Sequence, residues 1–228
     1  MDQPGSLVLD PDSRLTQLGL LPVCAEQRHH LFESRSFGGD SLASLPALTR
    51  QWVRETLGVE DAQPWLHPKF QHDFGSQPVT AVSLGVGENP AKRVEDPFEE
   101  ELLRLLASRD SLVMVDAGAP GSEEETRVRR AIAATGADSG RIGVHEGAFA
   151  SFASIIAASS LYFGYDSAGQ HVAAALGVPL ITVFAGHAND RMFARWSPDS
   201  AGPSTVIKAS EDQDPHALLN QVKSALPL

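Results

Sequence analysis

Two stretches of the sequence carry groups whose type and spacing suit the grip of an anion. In Tyr165-Asp166-Ser167-Ala168-Gly169-Gln170-His171 an apolar run ends in a polar turn, which opens directly into the helical pattern Val172-Ala173-Ala174-Ala175-Leu176. Such a junction leaves backbone N–H groups without helical partners beside the positive end of the helix dipole. Gly169 is read as the place where a ligand approaches the backbone closely. A nucleotide diphosphate is the guest that fits this cradle. The second stretch, Gly85-Val86-Gly87 followed by Lys92-Arg93, supplies the flexible ammonium of Lys92, which can meet negative charge developing on a leaving diphosphate. Spacing alone favours a plainer reading of the first stretch, in which Asp166 or Ser167 caps the helix and His171 lies at the surface.

Other groups are weaker candidates. Glu123, Glu124 and Glu125 fall in a first helical turn, where complementarity to the helix dipole accounts for them. Asp166, beside a diphosphate, would be repelled unless it orients the turn or binds a hydroxyl, so it is assigned to binding and not to acid-base chemistry. His29, His30, His67 and His72 lie in loop-like sequence without a helical i, i+4 pair beside a carboxylate, and are read as scattered surface histidines rather than metal ligands.

Composition narrows the classes. The chain has 228 residues, 42% of them hydrophobic, enough to bury a core. A net charge of −11 disfavours binding to nucleic acid or to anionic lipid surfaces, leaving at most peripheral membrane contact. The densest basic cluster, Arg127, Arg129 and Arg130, reads as a solvated helix face. Cys24 is the only cysteine, so no disulfide forms within the chain and no multi-cysteine zinc site exists. The first six residues carry no secretory signal, and the apolar run 172–185 is broken by Gly177 and Pro179. These features predict a soluble, cytoplasmic protein.

The elements that must position these groups follow an alternating pattern. Candidate strands at 80–84, 111–115, 141–144, 161–165, 180–184 and 205–207 alternate with helical periodicity, which predicts an α/β domain with a Rossmann-like parallel sheet flanked by helices. Helix starts are marked by Asp96-Pro97-Phe98-Glu99, by a capping box at Gly121-Ser122-Glu123-Glu124-Glu125, and by Asp214-Pro215. The first 75 or so residues read as a short strand at 7–9, an apolar loop at 18–23 and one amphipathic helix near 45–57. With three prolines, 61–78 looks like a linker. The expected division is therefore 1–78, a partial N-terminal domain with linker, and 79–228, a nucleotide-binding domain.

In order along the chain, Gly85-Val86-Gly87 with Lys92-Arg93, Gly118-Ala119-Pro120 with Glu123 to Glu125, Phe152-Ala153-Ser154-Ile155-Ile156-Ala157-Ala158-Ser159, Asp166-Ser167 with His171, Gly177-Val178-Pro179 and Phe184-Ala185-Gly186 resemble the motifs of glycosyltransferase family 9, the ADP-heptose:lipopolysaccharide heptosyltransferases. One departure is Ala168, which stands between Asp166-Ser167 and the glycine that follows them directly in the family. The resemblance implies a GT-B glycosyltransferase, of which this chain holds the C-terminal, donor-binding portion. It implies an ADP-sugar donor, a lipopolysaccharide-core type acceptor, and inversion at the anomeric carbon without a metal or other cofactor. The donor-binding residues it implies are Gly87, Lys92, Glu124, Asp166, Ser167, Ala168, Gly169, Gln170 and His171, one of the three glutamates reaching a ribose. In the family the acceptor site and the base belong to the N-terminal domain, so Asp10 and Asp12 are turn residues here and the isolated chain is expected to bind donor but turn over poorly. Two other classes stay open: a nucleotide-binding module without transferase activity, and an NAD-type oxidoreductase, which the lack of a complete Gly-x-Gly-x-x-Gly disfavours.

Overall fold

Short β-branched and aromatic runs separated by helices are the pattern that brings strands together in parallel, because each helix returns the chain over the sheet to start the next strand from the same edge. The computed structural model describes residues 5, 7–11, 18–20, 25–87, 89–138, 140–187, 189–210 and 212–227. In chain order the elements are β1 (Val8–Asp10), β2 (His29–Leu31), α1 (Leu45–Leu57), β3 (Val79–Ser83), α2 (Phe98–Ala107), β4 (Leu112–Asp116), α3 (Glu123–Thr135) and β5 (Ile142–His145). They continue as α4 (Phe149–Ala157), β6 (Leu161–Tyr165), α5 (Ala168–Leu176), β7 (Leu180–Phe184), α6 (Asp190–Trp196), β8 (Ser204–Lys208) and α7 (Pro215–Ala225).

The chain divides into two units, Met1–Pro64 with Asp190–Trp196, and Trp65–Asn189 with Ser197–Leu228. This division falls earlier than the one expected at 78/79. The proline-bearing stretch after Pro64 belongs to the second unit because Leu66 and Phe74 pack against its core and the Phe70 amide donates to Ser154 Oγ at 3.2 Å.

In the first unit β1 and β2 pair in parallel, with Val8 opposite His29 and Asp10 opposite Leu31. His29 and His30 therefore lie in a strand, not in the expected loop. Ser44 caps α1 by accepting from the Ala47 amide, and Gly58 ends it in the left-handed conformation. Phe32 packs against Phe37 and Trp52. Helix α6 joins this unit through Arg195, which donates to the carbonyls of Ser34 and Phe37 at 3.1 and 2.9 Å. Of the sequence readings here, Asp12, Cys24 and residues 21–23 of the apolar 18–23 loop lie outside the described residues.

The second unit holds a six-stranded sheet in the order β5-β4-β3-β6-β7-β8, parallel throughout. Side chains alternate between its faces. Val82 and Phe163 point into a core built with Leu102, Leu103 and Leu106 of α2, Val128 of α3 and Leu218 and Val222 of α7. Ala81 and Tyr162 point the other way, into a core built with Phe152 and Ile156 of α4 and Val172 and Ala173 of α5. Each large apolar side chain so buried contributes about 1.5–3 kcal/mol. The chain runs outward from β3 through β4 to β5 and then returns to lay β6 on the other side of β3. At such a reversal the loops leaving two adjacent strands turn opposite ways and open a crevice at their carboxyl ends.

Two of the predicted helix starts form as expected. Ser122 accepts from the Glu125 amide while Glu125 reaches back to the Gly121 amide, and Asp214 accepts from the amides of His216 and Ala217. The third does not: α2 begins at Phe98 without a side-chain cap, and Asp96 pairs instead with Arg93 and Arg130. Two guanidiniums outcompete the helix amides for this carboxylate.

Candidate functional site

The crevice between the ends of β3 and β6 gathers the two stretches that the sequence singles out. After β3 the chain passes through Gly85 and Gly87, the latter at φ +58, into a single 3-10 turn, Pro90–Lys92, capped by the Asn89 side chain. After β6 it passes through Asp166 and Ser167 into α5. Lys92 Nζ lies 2.6 Å from Asp166 Oδ2 and 3.3 Å from the Asp166 carbonyl, so residues 74 positions apart in the chain form an ion pair. Lys92 keeps 29% of its side chain exposed, whereas Asp166 keeps 5%.

Asp166 neither caps the helix nor faces solvent. Its second oxygen, Oδ1, accepts from Gln170 Nε2 at 2.6 Å, so one carboxylate ties the first turn of α5 to the Lys92 loop. Ser167 is the N-cap residue, with extended backbone, yet its hydroxyl makes no capping bond. The N-cap side chain thus takes none of the amides at the start of α5, beginning with Ala168. His171 stands one turn in, with its Nε2 3.4 Å from Gln170 Nε2. Burial holds its imidazole below the ordinary value; Asp166 pulls it up and Lys92 pushes it down. It is a partly buried neutral ring, not the surface histidine of the plainer reading.

Glu124 is the glutamate that turns toward the crevice. Glu125 is used by the cap and by Arg129, and Glu123 is exposed. A β-carbon on Gly85 would stand 2.7 Å from Glu124 Oε1, and one on Gly118 2.8 Å from its Cδ, so this carboxyl is wedged between the loops that leave β3 and β4. Burial pushes its pKa up against the pull of Arg127, with Asp116 and Glu99 adding to the rise.

Gly169 has a different reason from the one expected. A β-carbon there would lie 2.2 Å from the Tyr162 hydroxyl, and one on Gly164 would lie 2.3 Å from the same atom. The room that glycine leaves is filled by a buried tyrosine and is not open to a ligand. Arg127 is likewise not part of a solvated face: its side chain is 11% exposed, hydrogen-bonds Glu99, and donates to the Leu84 carbonyl at 2.8 Å.

Several residues at the crevice escape the sequence reading. Asp116 and His145 end β4 and β5 in register and meet with Oδ1 and Nδ1 3.2 Å apart, a pairing that only the strand alignment reveals. Gly186, at φ +64, abuts the peptide between Ala91 and Lys92. Glu99 is 2% exposed and bonded to three side chains. One signal was available for it: Glu99 stands on the stripe of Leu102, Leu103 and Leu106, at the i, i+3, i+4, i+7 spacing of a buried helix face. Among the described residues no group of three or more His, Cys, Asp or Glu is placed to hold a metal ion, and His67 and His72 stack on Trp65 and Phe74.

A parallel sheet with this reversal, flanked by helices, is a Rossmann-like domain of the GT-B type. The chain belongs to glycosyltransferase family 9, the heptosyltransferases, which it matches over residues 57–218. Among solved structures it resembles the E. coli heptosyltransferase WaaC with ADP, at 18% identity and a TM-score of 0.66, over 98% of this chain and 74% of that one. It also resembles the glycosyl transferase family 9 protein from Veillonella parvula, at 13% identity and a TM-score of 0.63, over 95% of this chain and 67% of that one. No curated protein matches its sequence. No helix among the described residues is long and apolar enough to cross a membrane.

Proposed function

We propose that the second unit binds the nucleoside diphosphate of an ADP-linked sugar, and that the protein transfers that sugar, a heptose, to an acceptor of the lipopolysaccharide-core type in the cytoplasm. The observation that carries this reading is that Asp166 joins Lys92, through Oδ2, to the first turn of α5, through Oδ1 and Gln170. WaaC, which the fold resembles, is described with ADP and with an ADP-heptose analogue.

In this reading the diphosphate lies against the amides that begin α5, from Ala168 to Gln170, and Lys92 turns from Asp166 toward it. Gly87, at φ +58 and exposed, lets the loop after β3 fold back over the phosphates. Glu124 accepts from a ribose hydroxyl. His171, neutral at pH 7, contributes a hydrogen bond and not a charge. The transfer inverts the anomeric carbon: the acceptor oxygen forms the new bond, its proton passes to a base outside this cluster, and the old C–O bond breaks with its electron pair going to the diphosphate. Lys92 and the helix start meet that developing charge, so the step needs no metal ion.

Calorimetric titration with ADP, UDP and GDP, followed by a transfer assay with an ADP-sugar and a lipopolysaccharide-core acceptor, tests this. Preferential ADP binding with slow transfer is the expected result. Binding without transfer points to a nucleotide-binding module, and absence of any nucleotide binding overturns the reading.

A further inference from the structure

The buried carboxylate of Glu99 touches no group proposed to meet a ligand, yet each segment that carries such a group is held through it. Three donors converge on its Oε1: Arg93 Nε at 3.2 Å, the Tyr165 hydroxyl at 3.1 Å, and a guanidinium nitrogen of Arg127. Oε2 is buried without a hydrogen-bond partner among the described residues, and two arginines pair with the charge through Oε1.

Each donor is one step from the crevice. Arg93 follows Lys92 directly in the chain. Tyr165 directly precedes Asp166, and the Val94 amide donates to its hydroxyl at 3.3 Å, closing a ring that brings the Lys92 loop back to the end of β6. Arg127 lies one turn after Glu124 on α3, and its Nη2 holds the carbonyl of Leu84, the residue before Gly85. The loop after β3, the Lys92 turn, the first turn of α3 and the end of β6 thus share one buried anchor. Burial, with the charge of Glu99 adding to it, keeps the Tyr165 hydroxyl protonated and therefore a donor.

We infer that Glu99 is the positioning residue of this crevice, fixing the distance between Lys92 and Asp166 without contacting a ligand. As a role in donor binding this rests on the function proposed above; as a role in holding Lys92 it does not. A purely structural carboxylate would affect stability alone, whereas a positioning one sets how tightly the Lys92 ammonium is held.

Lysine acylation followed by mass spectrometry separates the two, because the sequence has only four lysines and exposed Lys223 serves as an internal reference. Glu99→Gln keeps the shape but removes the charge, and Tyr165→Phe removes one donor. Val222→Ala is a core control, at a fully buried site on α7. Labelling of Lys92 relative to Lys223 is expected to rise roughly 5- to 30-fold in Glu99→Gln, less in Tyr165→Phe, and not at all in Val222→Ala. An unchanged Lys92 rate in folded Glu99→Gln and Tyr165→Phe, or an equal rise in Val222→Ala, overturns the inference. Added ADP gives the separate arm: protection of Lys92 in the unsubstituted chain supports both proposals, whereas no protection combined with the rise in Glu99→Gln overturns the nucleotide reading and leaves the anchor standing.

Discussion

Gly186 lies so close to Ala91 that a β-carbon on it would stand 2.5 Å from both the carbonyl carbon and the carbonyl oxygen of Ala91, and 2.8 Å from the Lys92 nitrogen. The loop after β7 thereby forms a wall for the turn that presents Lys92. The obstacle is backbone and cannot rotate away. Glycine is required twice over, since φ at this position is +64.

Gly186→Ala should therefore cost about 1–3 kcal/mol of stability, from left-handed strain and overlap together. It should also weaken ADP binding by displacing the Lys92 turn. Urea denaturation and calorimetric titration read the two effects, and an alanine variant as stable and as tight as the parent would show that the turn has slack.

Lys92→Met removes the ammonium while keeping most of the apolar stem. Affinity for ADP should fall about tenfold or more, the scale of one charge-assisted contact, and turnover about 100-fold if Lys92 meets the leaving group. Lys92→Arg should retain part of both. Equal affinities across the three proteins would exclude Lys92 from the site.

His171 predicts a pH effect whose sign follows from burial. Its folded-state pKa lies below 6.5, so as pH falls through 6.5 the unfolded chain takes up a proton before the folded one. The stability linked to His171 is full above 6.5 and is lost as pH drops toward the folded value. His171→Gln keeps a hydrogen-bonding side chain and abolishes the titration. Measured by urea unfolding, the difference between the two proteins should hold steady above about pH 7 and shift in favour of the variant toward about pH 5.5. A difference independent of pH would rule out the buried neutral ring.

The packing of Tyr162 against Gly169 is tested by a double-mutant cycle. Gly169→Ala should cost about 1–3 kcal/mol through overlap with the hydroxyl. Adding Tyr162→Phe should recover part of this, because the next atom, Cζ, would still be 2.8 Å away. Strict additivity would mean that the glycine is needed for something other than the tyrosine.

Local chemistry made much of this protein legible. Alternation of apolar runs with helical periodicity marks the six strands of the large sheet to within a residue or so, because strand and helix repeats differ and are set by near neighbours. The caps at Ser122 and Asp214 were readable for the same reason: donor and acceptor lie within four residues of each other. The ordered motifs from Gly85 to Gly186 marked the family and brought Lys92 and Asp166 forward together.

What the sequence could not decide depends on which of several competing partners the packing brings within reach. Asp96 has a cap's position, but Arg93 and Arg130 take its carboxylate. Gly169 has a ligand-facing glycine's position, but a tyrosine seven residues earlier fills the space. Arg127 looks like an ordinary helix-surface charge until the packing of α2 on α3 sets it against buried Glu99. By itself the sequence determined the strands of the large sheet and the family they compose, since those rest on short-range periodicity and ordered motifs. Only the tertiary structure decided which charges meet, because burial removes water as a competitor and leaves each ionised group to whichever partner the sheet order brings within reach.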